Sequence, residues 1–301
     1  MTRPEQSEST VLMAVDNGFA AANALPVGRT LARQLGARLV ALLVSPTPLA
    51  ALDARERLGL DTDERQDVGV IVRVGNPAVQ IVAAAHENGI RLLIIVARSI
   101  DSSAMIGSVT LSVINGSQIP IVLVRPDPAL RSKLALRPIH NLLLPIDGSP
   151  TTARALRSVT VLAKDLEARL DLLYVAGAGA DGGERGSLSA PRYVDQPHHE
   201  WPNWSAEVVD RLCRCLARCP EDVTVDMYLA SGDPGTEVPR FASEHDVDAV
   251  VLVRRSQLGV GRAKTLLSIF EGIPGPISIV VTPYRRDTPA AANARATAGS
   301  R

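Results

Sequence analysis

The chain has 301 residues, long enough for two ordinary domains that each bury a core. Its 32 basic and 32 acidic side chains cancel, which argues against nucleic acid or an anionic membrane as partner. No run approaches the ~18 apolar residues of a membrane span, and the polar, acidic stretch 1–9 has no signal core, so the chain reads as soluble and cytoplasmic.

In chain order, a strand is expected over 10–15, and Asp16-Asn17-Gly18 turns the chain. A helix follows over 20–35, with Gly36 just past its end and Pro26 inside it, which predicts a kink or a later start. A second strand covers 38–44, and 45–67 leaves room for only a short or irregular helix. A third strand over 68–74 closes on Gly75-Asn76-Pro77. The helix over 77–88 is expected to turn Val79, Val82 and Ala83 to one side. The strand over 92–97 is apolar at every residue, hence buried on both faces. A short helix over 107–116 and a strand over 120–125 complete the half.

The same order then returns. Leu12-Met13-Ala14-Val15-Asp16-Asn17-Gly18 reappears as Leu143-Leu144-Pro145-Ile146-Asp147-Gly148-Ser149, Gly75-Asn76-Pro77 as Gly232-Asp233-Pro234, and Val124-Arg125-Pro126 as Val281-Thr282-Pro283. Strands are expected over 142–146, 170–175, 223–229, 249–253 and 277–281, and helices over 151–167, 206–218, 236–245 and 264–271. The repeat exceeds the about 20–50 residues of a solenoid unit, so it is a domain duplicated in tandem. Strands alternating with helices place the chain in the α/β class. Each half is a doubly wound five-stranded parallel sheet with helices on both faces, Rossmann-like in outline. The second half is longer between its second and third strands, where 177–204 is rich in Gly, Pro and His and looks like a mobile insertion. The linker lies over 127–138, and the ends 1–9 and 285–301 read as disordered.

Ligands of open parallel sheets sit at the carboxyl ends of the strands, where strand order reverses. Asp16 and Asp147 follow the first strand of each half. Either can accept hydrogen bonds from a base or ribose, or simply cap the next helix. Gly107-Ser108 can cradle a phosphate at a helix N-terminus, or serve as an ordinary cap. The second half offers a loop over 254–265 with Arg254, Arg255, Arg262 and Lys264 around Gly259 and Gly261, which suits an anion or is a solvated basic loop. Cys213, Cys215 and Cys219 lack metal or disulfide spacing and read as small packers in a reducing compartment. His86, His140, His198, His199 and His245 have no metal-ligand spacing. His198-His199 lies beside Trp201 and Trp204, as a surface loop or a partner-binding patch.

Taken together, Asp16 and Asp147, the two Gly-x-Pro turns, and Gly107-Ser108-Val109 leading into Ile119-Pro120-Ile121 resemble tandem universal stress protein domains over 10–126 and 139–284. ATP-binding members of that family carry G-x2-G-x9-G-[S/T] from the fourth strand into the fourth helix. Here the glycine places fall on Ala97 and Ile100, with only six residues (Asp101 to Ile106) before Gly107-Ser108, and in the second half on Arg254, Gln257, Leu267 and Ser268. The resemblance implies a base and ribose site at Asp16 and Val44 with phosphates at Gly107 and Ser108. The counterparts are Asp147, Val175 and Ser268, with Gly259 and Gly261 as a shifted loop. ATP is the one cofactor it brings in.

The expected function is a non-enzymatic cytoplasmic stress-response protein, a regulatory or interaction module with eroded ATP sites and an unidentified protein partner. The alternative is an adenine-nucleotide-binding regulator working through the first domain. No nucleophile elbow, P-loop or metal cluster supports an enzyme. The final strands, 121–124 and 277–281, are too apolar for exposed edges. They are expected to pair between the halves or across a homodimer, mimicking the dimer typical of single-domain members.

Overall fold

The structure, a computed structural model, describes residues 9–61, 67–97, 107–127, 129, 136–147, 150–176, 222–254, 263–273 and 278–283. The insertion over 177–204, the helix expected over 206–218, Cys213, Cys215 and Cys219, and Gly259 and Gly261 lie outside these residues. The first half runs β1 (Thr10–Ala14), α1 (Gly18–Gln34), β2 (Arg38–Ser45), α2 (Ala51–Leu58), β3 (Val68–Val74), α3 (Pro77–Ala85), β4 (Ile90–Val96), α4 (Ser108–Gly116) and β5 (Ile121–Val124). The second runs β6 (Asn141–Ile146), α5 (Pro150–Asp165), β7 (Arg169–Ala176), β8 (Val225–Ser231), α6 (Pro234–Glu244), β9 (Ala249–Arg254), α7 (Ala263–Gly272) and β10 (Ser278–Pro283).

Strand order is β3-β2-β1-β4-β5-β10-β9-β6-β7-β8, so the halves repeat one order in mirror sequence and share one ten-stranded sheet. Every pairing within a half is parallel. Alternate strand residues feed two apolar layers. Val11 and Met13 of β1 join α1, α2 and α5 in one layer. Leu12 and Ala14 join α3, α4, α6 and α7 in the other. The unalternated strand sequences are explained by this double covering.

Local chemistry repeats with the fold. Gly75 (φ 131°) and Gly232 (φ 139°) make the turn that only glycine takes without strain, and Pro77 and Pro234 then open α3 and α6. The left-handed residue after α1 is Gly36 (φ 55°), but after α5 it is Glu167 (φ 52°). Helix α1 starts at Gly18 and continues through Pro26, so the later start is not adopted. In α3 the core face is Ile81, Ala84 and Ala85, whereas Val79 is 62% exposed. The expected face of Val79 and Ala83 is wrong because an almost uniformly apolar helix carries no periodic signal to orient it.

The final strands do pair. β5 and β10 run antiparallel, with Leu123 opposite Ile279 and Ile121 opposite Val281. Ile121, Val122, Leu123 and Val124 are buried, and the edge is thereby removed within one chain. Two arginines brace the seam reciprocally. Arg125 at the end of β5 donates to the carbonyls of Phe270, Glu271 and Ile273 at the C-terminus of α7. Arg254 at the end of β9 donates to the carbonyls of Asn115 (2.7 Å) and Ser117 (3.2 Å) at the C-terminus of α4. Each cation meets the orphan carbonyls and negative end of a helix in the other half. The chain between the halves is seated on α1. Asn23 accepts from the Asp127 N–H, Thr30 from the Leu136 N–H and Gln34 from the Ile139 N–H.

Candidate functional site

The first half has a cleft of about 270 Å³ at the carboxyl ends of β1, β2 and β4. The strand order reverses here, since β1 lies between β2 and β4. Asp16, two residues past β1, and Val44, the penultimate residue of β2, line it together with Gly107 and Ser108 at the start of α4. All four first-half candidates thus converge on one cleft. Ala14, Leu42, Ile95 and Ile81 form apolar walls, Pro77 brings the start of α3, and Thr110 adds a buried hydroxyl.

Asn17, not Asp16, caps α1, accepting from the Ala20 N–H at 2.9 Å. The capping role weighed for Asp16 is therefore already filled by its neighbour. Gly107 is the N-cap of α4 in extended backbone, with no side-chain cap. Gly107 thus gives the first N–H groups of α4 no side-chain oxygen of its own. A Cβ at Gly107 would meet no atom within 4 Å, unlike one at Gly116, which would lie 2.9 Å from Val82. Packing within the protein thus requires glycine at Gly116, and at Gly107 it does not.

The second half departs from this plan at the ends of β6 and β9. Pro145 stands where β1 has Ala14. Asn141 accepts from the Asp248 N–H on the β9 side, so alternation turns Pro145 to β9 as well, where it has no N–H to donate. The β6–β9 ladder stops at Leu143 opposite Val250, whereas β1–β4 continues to Ala14 opposite Ile95. Asp147 accepts from the Thr152 hydroxyl at 2.8 Å, tying it to α5. Val175 is buried on β7. Arg254, expected in a basic loop suited to an anion, instead spends its donors on α4, and burial lowers its pKa.

Ser268 does not open a helix. It lies inside α7 (Ala263–Gly272), where a Cβ on Gly235 would approach its own Cβ to 2.8 Å. Gly116 packs on Val82 of α3 and Gly272 on Pro239 of α6, and these matched contacts set Ala263-Lys264, not Leu267-Ser268, opposite Gly107-Ser108. Glycine-motif spacing alone mismatches the two halves because it counts nine spacer residues in the second half, where the helix, like that of the first half, starts earlier than the motif requires.

Sequence reasoning missed Leu42, Pro77, Ile81 and Thr110 as cleft residues. The first follows from period-two alternation, since it shares a strand face with Val44. Among the described residues no group of three or more His, Cys, Asp or Glu could hold a metal ion, and no helix is long and apolar enough to cross a membrane.

Comparison with known proteins bears on this arrangement. The sequence pattern of the universal stress protein family matches residues 9–125 and 138–269. A universal stress protein from Archaeoglobus fulgidus DSM 4304 superposes with a TM-score of 0.60 at 17% identity, covering 93% of this chain and 97% of its own. A functionally unknown protein from Pseudomonas aeruginosa PAO1 superposes with a TM-score of 0.57 at 14% identity, covering 93% and 94%. These identities speak to the fold alone. No curated protein matches the chain.

Proposed function

The chain belongs to the universal stress protein family, and from that premise we propose that it is a non-enzymatic stress-response protein whose first domain binds an adenine nucleoside or nucleotide. The convergence of Asp16, Val44, Gly107 and Ser108 on one apolar cleft at the switch point carries this reading. Apolar walls suit a purine ring. Asp16 at the mouth suits ribose hydroxyls, and the start of α4, whose N-cap is a glycine, suits a phosphate. Gly107, whose missing Cβ no protein contact demands, leaves room for a ligand there. ATP, the nucleotide the family resemblance brings in, fits these residues. When bound it would supply a charge-bearing moiety that α4 senses, with no covalent step.

The second domain fits a partner role better. Its Arg254 is committed to the seam, and the β6–β9 ladder stops short of Pro145. This favours the reading in which regulation is passed to a protein partner from a domain whose own nucleotide site has eroded.

Native mass spectrometry of the untreated protein, followed by calorimetric titration with ATP, AMP and adenosine, tests the proposal. The expected result is a micromolar constant for at least one of them. It should be abolished by Val44→Trp and weakened roughly 10- to 100-fold by Asp16→Ala, the range for a lost hydrogen bond to a charged group. No mass shift and no heat at millimolar ligand would reject the nucleotide reading for the first domain.

A further inference from the structure

A second cleft, of about 390 Å³, lies at the opposite end of the first domain, at the amino ends of β2 and β3, and the proposed function makes no use of it. Arg29 and Arg33 reach it from successive turns of α1, and Arg38 from the head of β2. Asp67 stands before β3, while Ala37 and Gly69 keep the walls low. The Arg29 side chain is only 7% exposed. Among the described residues its single polar contact is from Nη2 to Asp67 Oδ1 at 2.9 Å, and Asp67 itself is 61% exposed. A guanidinium carries five donors, so one monodentate bond leaves most of the fork without a protein acceptor. The Arg33 guanidinium makes no ion pair or hydrogen bond among the described residues. Like charges one helical turn apart repel.

The second domain handles the matching positions differently. Where α1 has Arg33, α5 has Lys164, which pairs with Asp222 at 2.6 Å. Arg29 is replaced by buried Thr160, whose hydroxyl donates to the Arg157 carbonyl. At these two positions the second copy has one cation paired with a carboxylate and one neutral residue, whereas the first keeps two arginines, one buried with a single bond to Asp67 and one exposed, around the hollow.

We propose that this hollow is a binding site for a small oxyanion-bearing molecule, held by Arg29 and Arg33. Arginine forks match the paired oxygens of phosphate and carboxylate. The hollow falls within the roughly 300–1,000 Å³ of small-molecule pockets, so it admits an organic body as well as the anionic group. Leu39 and Val40 give that body an apolar floor.

Inorganic phosphate and pyrophosphate are the probes, titrated into the full chain at constant ionic strength against chloride, with amide chemical shifts as readout. Saturable shifts in the millimolar range or tighter are expected on α1 and at the heads of β2 and β3. Arg33→Gln, an exposed change that spares the fold, should weaken the constant at least tenfold, and Arg33→Lys by less. Val44→Trp, which fills the nucleotide cleft, should leave phosphate binding intact. Three outcomes overturn the proposal: no saturation in the millimolar range, equal binding by Arg33→Gln, or loss of phosphate binding in Val44→Trp. The last would assign the anion to the other cleft, so the two proposals fail separately.

Discussion

Replacing Asp171 should stabilise the protein. Asp171 is the third residue of β7, fully buried, opposite Asp226 of β8. The third residue of β2 is Val40, opposite Gly69, so the repeat itself supplies the apolar reference. Arg169 reaches only Oδ2, and Oδ1 is buried without a hydrogen bond. Burial raises the Asp171 pKa. Arg169 opposes that shift, Asp226 adds to it and His245 opposes it weakly.

The folded state therefore keeps this proton to a higher pH than the unfolded chain. Below the unfolded value of about 3.9 both states are protonated, and the carboxylate imposes no penalty. As pH rises from there through the folded value, stability falls, and it then levels off. An unsatisfied buried polar group costs about 1–3 kcal/mol, and the half-exposed ion pair lost with it is worth about 0–1 kcal/mol. Asp171→Val should thus gain up to about 3 kcal/mol at pH 8. Asp171→Asn, which cannot ionise, should lose the acid-side rise while keeping the shape. Urea denaturation followed by circular dichroism at pH 8 and pH 5 reads both effects. If Asp171→Val is less stable than the parent at pH 8, or if Asp171→Asn keeps the parental pH dependence, the pair with Arg169 outweighs the orphaned oxygen and the reasoning fails.

Glu167→Gly should raise stability by about 1 kcal/mol, the left-handed strain that Gly36 avoids in the first half, and an unchanged urea midpoint would contradict this. Gly272→Ala should cost more than Gly116→Ala. The new Cβ would lie 2.7 Å from the rigid ring of Pro239 in one case and 2.9 Å from the side chain of Val82 in the other. Overpacking of this kind costs about 1–3 kcal/mol, and paired melting curves rank the two. Arg254→Met should lower stability by about 1.5–3 kcal/mol for each charge-assisted bond lost to α4, and should speed proteolysis between the halves, whereas a parental rate would show that Arg254 does not hold the seam.

The tandem α/β plan was legible in the residues because it rests on local rules. Apolar runs such as Leu92 to Ala97 demand covering on both faces. Gly75 and Gly232 need positive φ, and Pro77 and Pro234 start helices wherever they stand. The first cleft was legible for the same reason, since Asp16, Val44 and Gly107 all sit at ends of elements whose order determines where ligands gather. Even the pairing of β5 with β10 follows from apolar strands that water would not tolerate as edges.

The partners of individual side chains were not legible. Arg254 looked like part of an anion loop, and only the antiparallel seam puts it within reach of the α4 carbonyls, far away in sequence. Ser268 matched a motif by count, yet the packing of α7 on α6 places it within a helix contact. Arg29, Arg33 and Asp67 carry no motif at all. Local preference depends on a few neighbouring residues and is therefore written in the chain. Which charges meet is a long-range choice, made by the sheet order that brings β2, β3 and α1, or β9 and α4, into contact.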